Sequence, residues 1–223
     1  MNSESSIHRV IAELVGTAFL LMTVVGSGIM AENLSAGNNA LALIGNTLPT
    51  GAMLVVLILI FGPISGAHFN PIVSLAFALK GDLTKRELVL FVLAQIVGGI
   101  AGVLIAHGMF DLPLLQISSK LRTGPSQWLA ETIATLGLML TIFGSLKTRP
   151  QAVPYAVGLY IVAAYWFTAS TSFANPAVTI ARSLTNTFSG IAPHNVTAFI
   201  IAQLIGGVIG LGLSNRLWLK NSE

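Results

Sequence analysis

The chain has 223 residues, of which 54% are hydrophobic and only 9% charged, whereas a soluble domain of this size carries about a quarter charged residues. It has no cysteine, which excludes disulfides, iron–sulfur clusters and thiolate metal sites. The formal charge of +3 lies in short segments beside apolar runs, where membrane topology accounts for it, so it implies no nucleic-acid partner.

Residues 1–9 are polar, and an apolar run over 10–31 follows. It is long enough to cross a bilayer core of about 30 Å. No small-residue cleavage site stands out, so it reads as a retained first helix rather than a signal peptide. Glu13 falls inside this run, and an intramembrane carboxylate is by default functional. A second run covers 41–61. A short stretch over 69–79 comes next, introduced by Gly66-Ala67-His68-Phe69-Asn70-Pro71-Ile72-Val73. About ten helical residues rise about 15 Å, half the core. The third run is 88–107, where Gly98, Gly99 and Gly102 form a small face suited to close helix crossing. A long loop holding Asp111, Lys120 and Arg122 reads as solvated charge. The fourth run, 128–146, carries Glu131, and the fifth covers 154–171. A second short stretch, 175–184, is introduced by Ser172-Phe173-Ala174-Asn175-Pro176-Ala177-Val178-Thr179. The sixth run is 196–218, where Gly206, Gly207 and Gly210 repeat the small face. The whole chain, 1–223, reads as one all-α membrane domain: six transmembrane helices plus two re-entrant half-helices.

Three anchors recur in order. Glu13 pairs with Glu131, Asn70 with Asn175, and Gln95 (in Ala94-Gln95-Ile96-Val97-Gly98-Gly99) with Gln203 (in Ala202-Gln203-Leu204-Ile205-Gly206-Gly207). Their offsets are 118, 105 and 108 residues, close enough to read as a duplication. The halves are 10–107 and 128–218. Each has three spans, so the second enters the membrane from the opposite side, giving an inverted repeat. With a cytoplasmic N-terminus, the inner segments hold Arg9, Lys80, Lys85, Arg86, Lys147, Arg149, Arg216 and Lys220. The outer ones hold Lys120, Arg122 and Arg182. This asymmetry favours both termini inside.

Asn before Pro is a helix start: Asn caps well, and Pro at the first turn loses no hydrogen bond. A single such start is an ordinary cap. Two of them, matched between the halves and each opening a half-length apolar helix, point to a transport site. Two N-termini facing each other at the midplane oppose cations, while the Asn70 and Asn175 amides still donate to neutral solutes.

At Asn70-Pro71-Ile72 and Asn175-Pro176-Ala177 the chain resembles the major intrinsic protein family, the aquaporins and glycerol facilitators. The resemblance covers essentially the whole chain, although Ile72 stands where the family usually has Ala. It implies a passive channel in each subunit of a homotetramer, embedded in the lipid bilayer, with no enzymatic activity and no cofactor. It also implies that Glu13 and Glu131 bond to the re-entrant loop backbones, and that the His68 loop lines the cytoplasmic half of the pore. No second His or acid lies at metal spacing from His68, so no metal site is expected.

Family members mostly carry Arg directly after the second Asn-Pro-Ala, and here that position is Val178. Family spacing gives the remaining filter positions as Thr50, Ala163 and Ser172. This set has no aromatic, His or Arg, and implies a wide, uncharged filter. Arg182 lies four residues beyond Val178. It either faces the outer vestibule one turn above the filter or caps its half-helix C-terminus, where a cation is favoured. The run Asn-Pro-Ala-Val-Thr-Ile-Ala-Arg resembles bacterial channels associated with arsenic-resistance genes, which suggests a bacterial inner (plasma) membrane location. The expectation is a passive channel for small uncharged solutes: metalloid hydroxides such as arsenite, with glycerol or water. The alternatives are a proton-coupled carrier using Glu13 and Glu131, and a structural membrane protein with a closed pore.

Overall fold

The computed structural model describes residues 3–218, which form eight α-helices and a single 3₁₀ turn, with no strand among them. The first half comprises α1 (Ser3–Leu34), α2 (Asn39–Ser65), the short α3 (Pro71–Leu79) and α4 (Lys85–Met109). The second repeats the order with α5 (Pro125–Thr148), α6 (Val153–Phe167), the short α7 (Pro176–Arg182) and α8 (Pro193–Trp218). Local chemistry sets the boundaries. The Asn38 side chain accepts the Ala40 and Leu41 N–H groups at the start of α2. Thr84 and Glu87 exchange side-chain and backbone bonds at the start of α4. Gly66 ends α2 at a φ of +92°, a left-handed conformation that glycine adopts without strain.

Five of the helices are long and apolar enough to cross a membrane. The expected fifth span, 154–171, is shorter than its apolar run: α6 stops at Phe167, which gives about 23 Å of helix. Thr168 turns extended and its Oγ1 donates back to the Ala164 carbonyl at 2.6 Å. The chain then enters the left-handed region at Thr171 and Ser172. Apolar composition continued past the point where the backbone had to turn.

The two halves pack alike. α1 lies on α4 and α5 on α8, while α2 against α6 joins the halves. The glycine faces make these crossings close. A Cβ on Gly98 would sit 2.2 Å from the Leu14 carbonyl oxygen, and one on Gly206 equally close to that of Thr132. Large apolar side chains such as Leu93, Val97, Ile201 and Ile205 point outward, while Glu13, Gln95, Glu131 and Gln203 are fully buried. That distribution suits a body whose surroundings are lipid.

Candidate functional site

The site starts from two loops of matching conformation. In the first, Ala67 and Phe69 hold φ values of 51° and 48°; in the second, Ser172 and Ala174 hold 48° each. Non-glycine residues occupy this region only when the surroundings enforce it. Each loop ends in an Asn that caps a half-helix. Asn70 Oδ1 accepts the Ile72 N–H at 2.9 Å, and Asn175 Oδ1 accepts that of Ala177 at 2.9 Å. The two Asn side chains also tie the halves together. Asn70 Nδ2 donates to the Ala174 carbonyl and Asn175 Nδ2 to the Phe69 carbonyl, both at 2.7 Å. A carboxamide nitrogen carries a pair of donors, so each Asn keeps one for the cavity that both line.

The carboxylates enforce the loops. Glu13 accepts the Ser65 hydroxyl at 2.6 Å, the His68 and Phe69 N–H groups at 2.9 and 2.7 Å, and Gln95 Nε2 at 2.8 Å. Glu131 accepts the Phe173 and Ala174 N–H groups at 2.8 and 2.9 Å and Gln203 Nε2 at 2.6 Å. Gln95 also donates to Ser74 and Gln203 to Thr179, both at 2.9 Å. Neither carboxylate lines the cavity. The glutamines are part of the site that the sequence reading counts only as repeat markers. A polar side chain inside an apolar span was the available signal.

The cavity has a volume of about 530 Å³ and passes both Asn side chains. Thr50, Leu54, Ile58 and Gly62 line it along α2, Leu138, Ile142 and Leu146 along α5, and Val157, Ile161 and Tyr165 along α6. These spacings follow the helices for several turns, so the cavity runs parallel to them. His68 lines it too, with its ring stacked on Phe77 at 4.5 Å and Nδ1 3.1 Å from Ser74 Oγ. Of the expected filter positions, Thr50, Ser172 and Val178 line the cavity and Ala163 does not. Ala163 lies on the exposed face of α6 with Tyr155, Leu159 and Trp166. Residues at i and i+4 share a helix face whereas i and i+2 do not, so Ile161 and Tyr165 take the inward positions.

Arg182 also lines the cavity, with only 1% of its surface exposed. Its Nε donates to the Ser189 carbonyl, beyond the end of α7, and its guanidinium carbon lies 3.4 Å from the Phe173 ring centroid. It does not cap its own helix; the Ser183 N–H closes that end on Ile180 and Ala181. The loop between α4 and α5 is also more structured than solvated charge implies. Arg122 donates to the Gly190 and Ser170 carbonyls at 2.9 and 3.1 Å and lies 5.0 Å from the Phe173 ring. Lys120 donates to the Phe188 carbonyl at 2.7 Å, while Asp111 is exposed.

Comparison with known proteins gives concordant results. Residues 1–153 match the model of the family described as major intrinsic protein. The chain is 59% identical over 212 residues to aquaglyceroporin AqpS of Rhizobium meliloti, covering 95% of this chain and 90% of that protein. It is 29% identical over 220 residues to aquaporin Z of Rhodopseudomonas palustris, covering 91% and 90%. Its fold superposes on the X-ray structure of the aquaglyceroporin from Plasmodium falciparum with a TM-score of 0.73, at 19% identity, covering 95% of this chain and 96% of that one.

Proposed function

We propose that this chain, which belongs to the major intrinsic protein family, passes metalloid hydroxides such as arsenite as well as glycerol and water. It is a multi-pass membrane channel for small neutral solutes and not an enzyme. The observation that carries the finer reading is at Val178, which lines the cavity beside Ser172 and Thr50 and puts a short apolar side chain there. Arsenous acid at neutral pH is an uncharged trihydroxide of polyol-like size, so a wide filter without fixed charge suits it. Asn70 and Asn175 act as donors to the solute chain, and Glu13, Glu131 and His68 support the loops. The protein sits as a homotetramer in the bacterial inner membrane with both termini cytoplasmic.

Stopped-flow measurements on proteoliposomes test this with water, glycerol, urea and arsenite. Glycerol and arsenite flux should exceed that of protein-free vesicles and should need no pH gradient. Arsenite flux at the protein-free level would remove the metalloid reading. Flux that depends on a proton gradient would replace the channel with a carrier.

A further inference from the structure

We propose that Arg182 and Tyr165, together with Ser172 of the filter itself, form a second solute site that extends one helical turn outward of Val178, reads the hydroxyl groups of neutral polyhydroxylated solutes and bars cations. This rests on the channel reading above.

All three side chains line the one cavity and each is at least nine-tenths buried. A charged side chain at this depth is costly and functional by default, and a cation with no carboxylate beside it more so. Among the described residues the ion pair is Arg9 with Glu87, far from this site in the chain; Arg182 has none. Two contacts fix its guanidinium, the Nε bond to Ser189 and the Phe173 ring. Neither contact uses the terminal amino groups, and Tyr165 shares the cavity lining with Arg182. A guanidinium presents several N–H donors in a fixed fork, and here the unused part of the fork belongs to a side chain that lines the cavity.

The second observation is independent. Ser172 Oγ is buried and has no hydrogen-bond partner in the protein, and its backbone is held at a φ of 48°. A buried hydroxyl left unpaired is unfavourable, and because Ser172 belongs to the cavity wall, a rotation of its side chain would bring the hydroxyl to a passing solute. The wall nearby is apolar, with Ile161 and Val178. A solute with several hydroxyls on a small frame fits this division. Its oxygens accept from Arg182, its O–H groups bond to Tyr165 and Ser172, and its carbon or metalloid side meets the apolar wall. The fixed charge repels cations without narrowing the position occupied by Val178, because it stands about 6 Å further along the helix axis.

The test uses the full chain in proteoliposomes, with glycerol and arsenous acid as probes. One reading is the glycerol concentration that halves arsenous acid flux. The other is proton leak under an imposed membrane potential. Loss of a charge-assisted bond predicts that Arg182→Gln raises the half-inhibiting glycerol concentration about tenfold and raises proton leak. Adding Val178→Arg to Arg182→Gln should lower the leak again. Tyr165→Phe should raise the half-inhibiting concentration by several-fold. Wild-type values for both readings in inserted Arg182→Gln would overturn the proposal. If that variant does not insert, Arg182→Lys and Tyr165→Phe decide: both weaken glycerol competition if the site exists, and wild-type competition in both overturns it. A wild-type channel that conducts no solute would instead fail the channel reading itself.

Discussion

Each oxygen of the Glu13 carboxylate accepts two donors. Glutamine there must turn its NH₂ toward groups that already donate, so Glu13→Gln leaves buried donors unpaired at about 1–3 kcal/mol each. Less protein should insert and survive detergent extraction, with Glu13→Leu worse. Flux per inserted channel should not acquire a dependence on a proton gradient; vesicle flux normalised to inserted protein checks this, and a proton-gradient dependence that the substitution abolishes would revive the carrier. Val178 gives the second prediction at this scale. An Arg there would reach into the cavity and stand about 6 Å from Arg182. Glycerol and arsenite flux should fall sharply while water flux persists; equal loss of all three per channel would indicate general damage. Single residues differ in how far sequence alone could assign them. Asn70 and Asn175 are readable because capping is local chemistry. Ala163 is not, because a residue count from a motif does not fix which face of α6 turns inward, and the stacking of Arg182 on Phe173 depends on tertiary contact with the Ser189 loop.

At the level of elements, the half-helices are readable because a Pro start and a short apolar run suffice to define them. α3 and α7 begin one residue after the expected Asn positions. The cross-loop bonds are not readable, since they join residues 104 and 106 positions apart. They sharpen a prediction about the paired caps. Aspartate at 70 and 175 can still accept the capping N–H groups but cannot donate to the opposing carbonyls, and it adds negative charge where cations were opposed. Asn70→Asp combined with Asn175→Asp should admit cations or abolish flux, read as conductance in planar bilayers. Solute flux at the wild-type level without cation conductance would show that the amides do not set ion exclusion. α6 illustrates the opposite limit of sequence reading: hydropathy registers composition, whereas the helix ends where Thr168 takes up an extended backbone.

For the whole molecule, the repeat makes one half's chemistry the other's in reverse orientation, so the assignment of sides rests on charge. Structural contacts divide the basic residues between two ends. Lys120 and Arg122 bond to Phe188 and Gly190 in the loop after α7. At the other end Arg9 pairs with Glu87, and Lys80 approaches Asn215 at 3.4 Å. Arg182, however, is committed to the cavity, so it does not belong with the loop charges that orient a membrane protein. Without it the outer count falls to Lys120 and Arg122, which strengthens the asymmetry on which the proposal of cytoplasmic termini rests. The absence of cysteine makes a clean test possible. Thr123 in the loop before α5 and Asp82 in the turn between α3 and α4 are both exposed. In intact spheroplasts, Thr123→Cys should react with a membrane-impermeant maleimide, and Asp82→Cys should react only after lysis. The reverse pattern would invert the channel, turn the Arg182 end toward the cytoplasm, and reassign the cytoplasmic mouth from the His68 side to the Arg122 loop. Equal labelling of both before lysis would indicate mixed insertion and would remove charge asymmetry as the determinant of orientation.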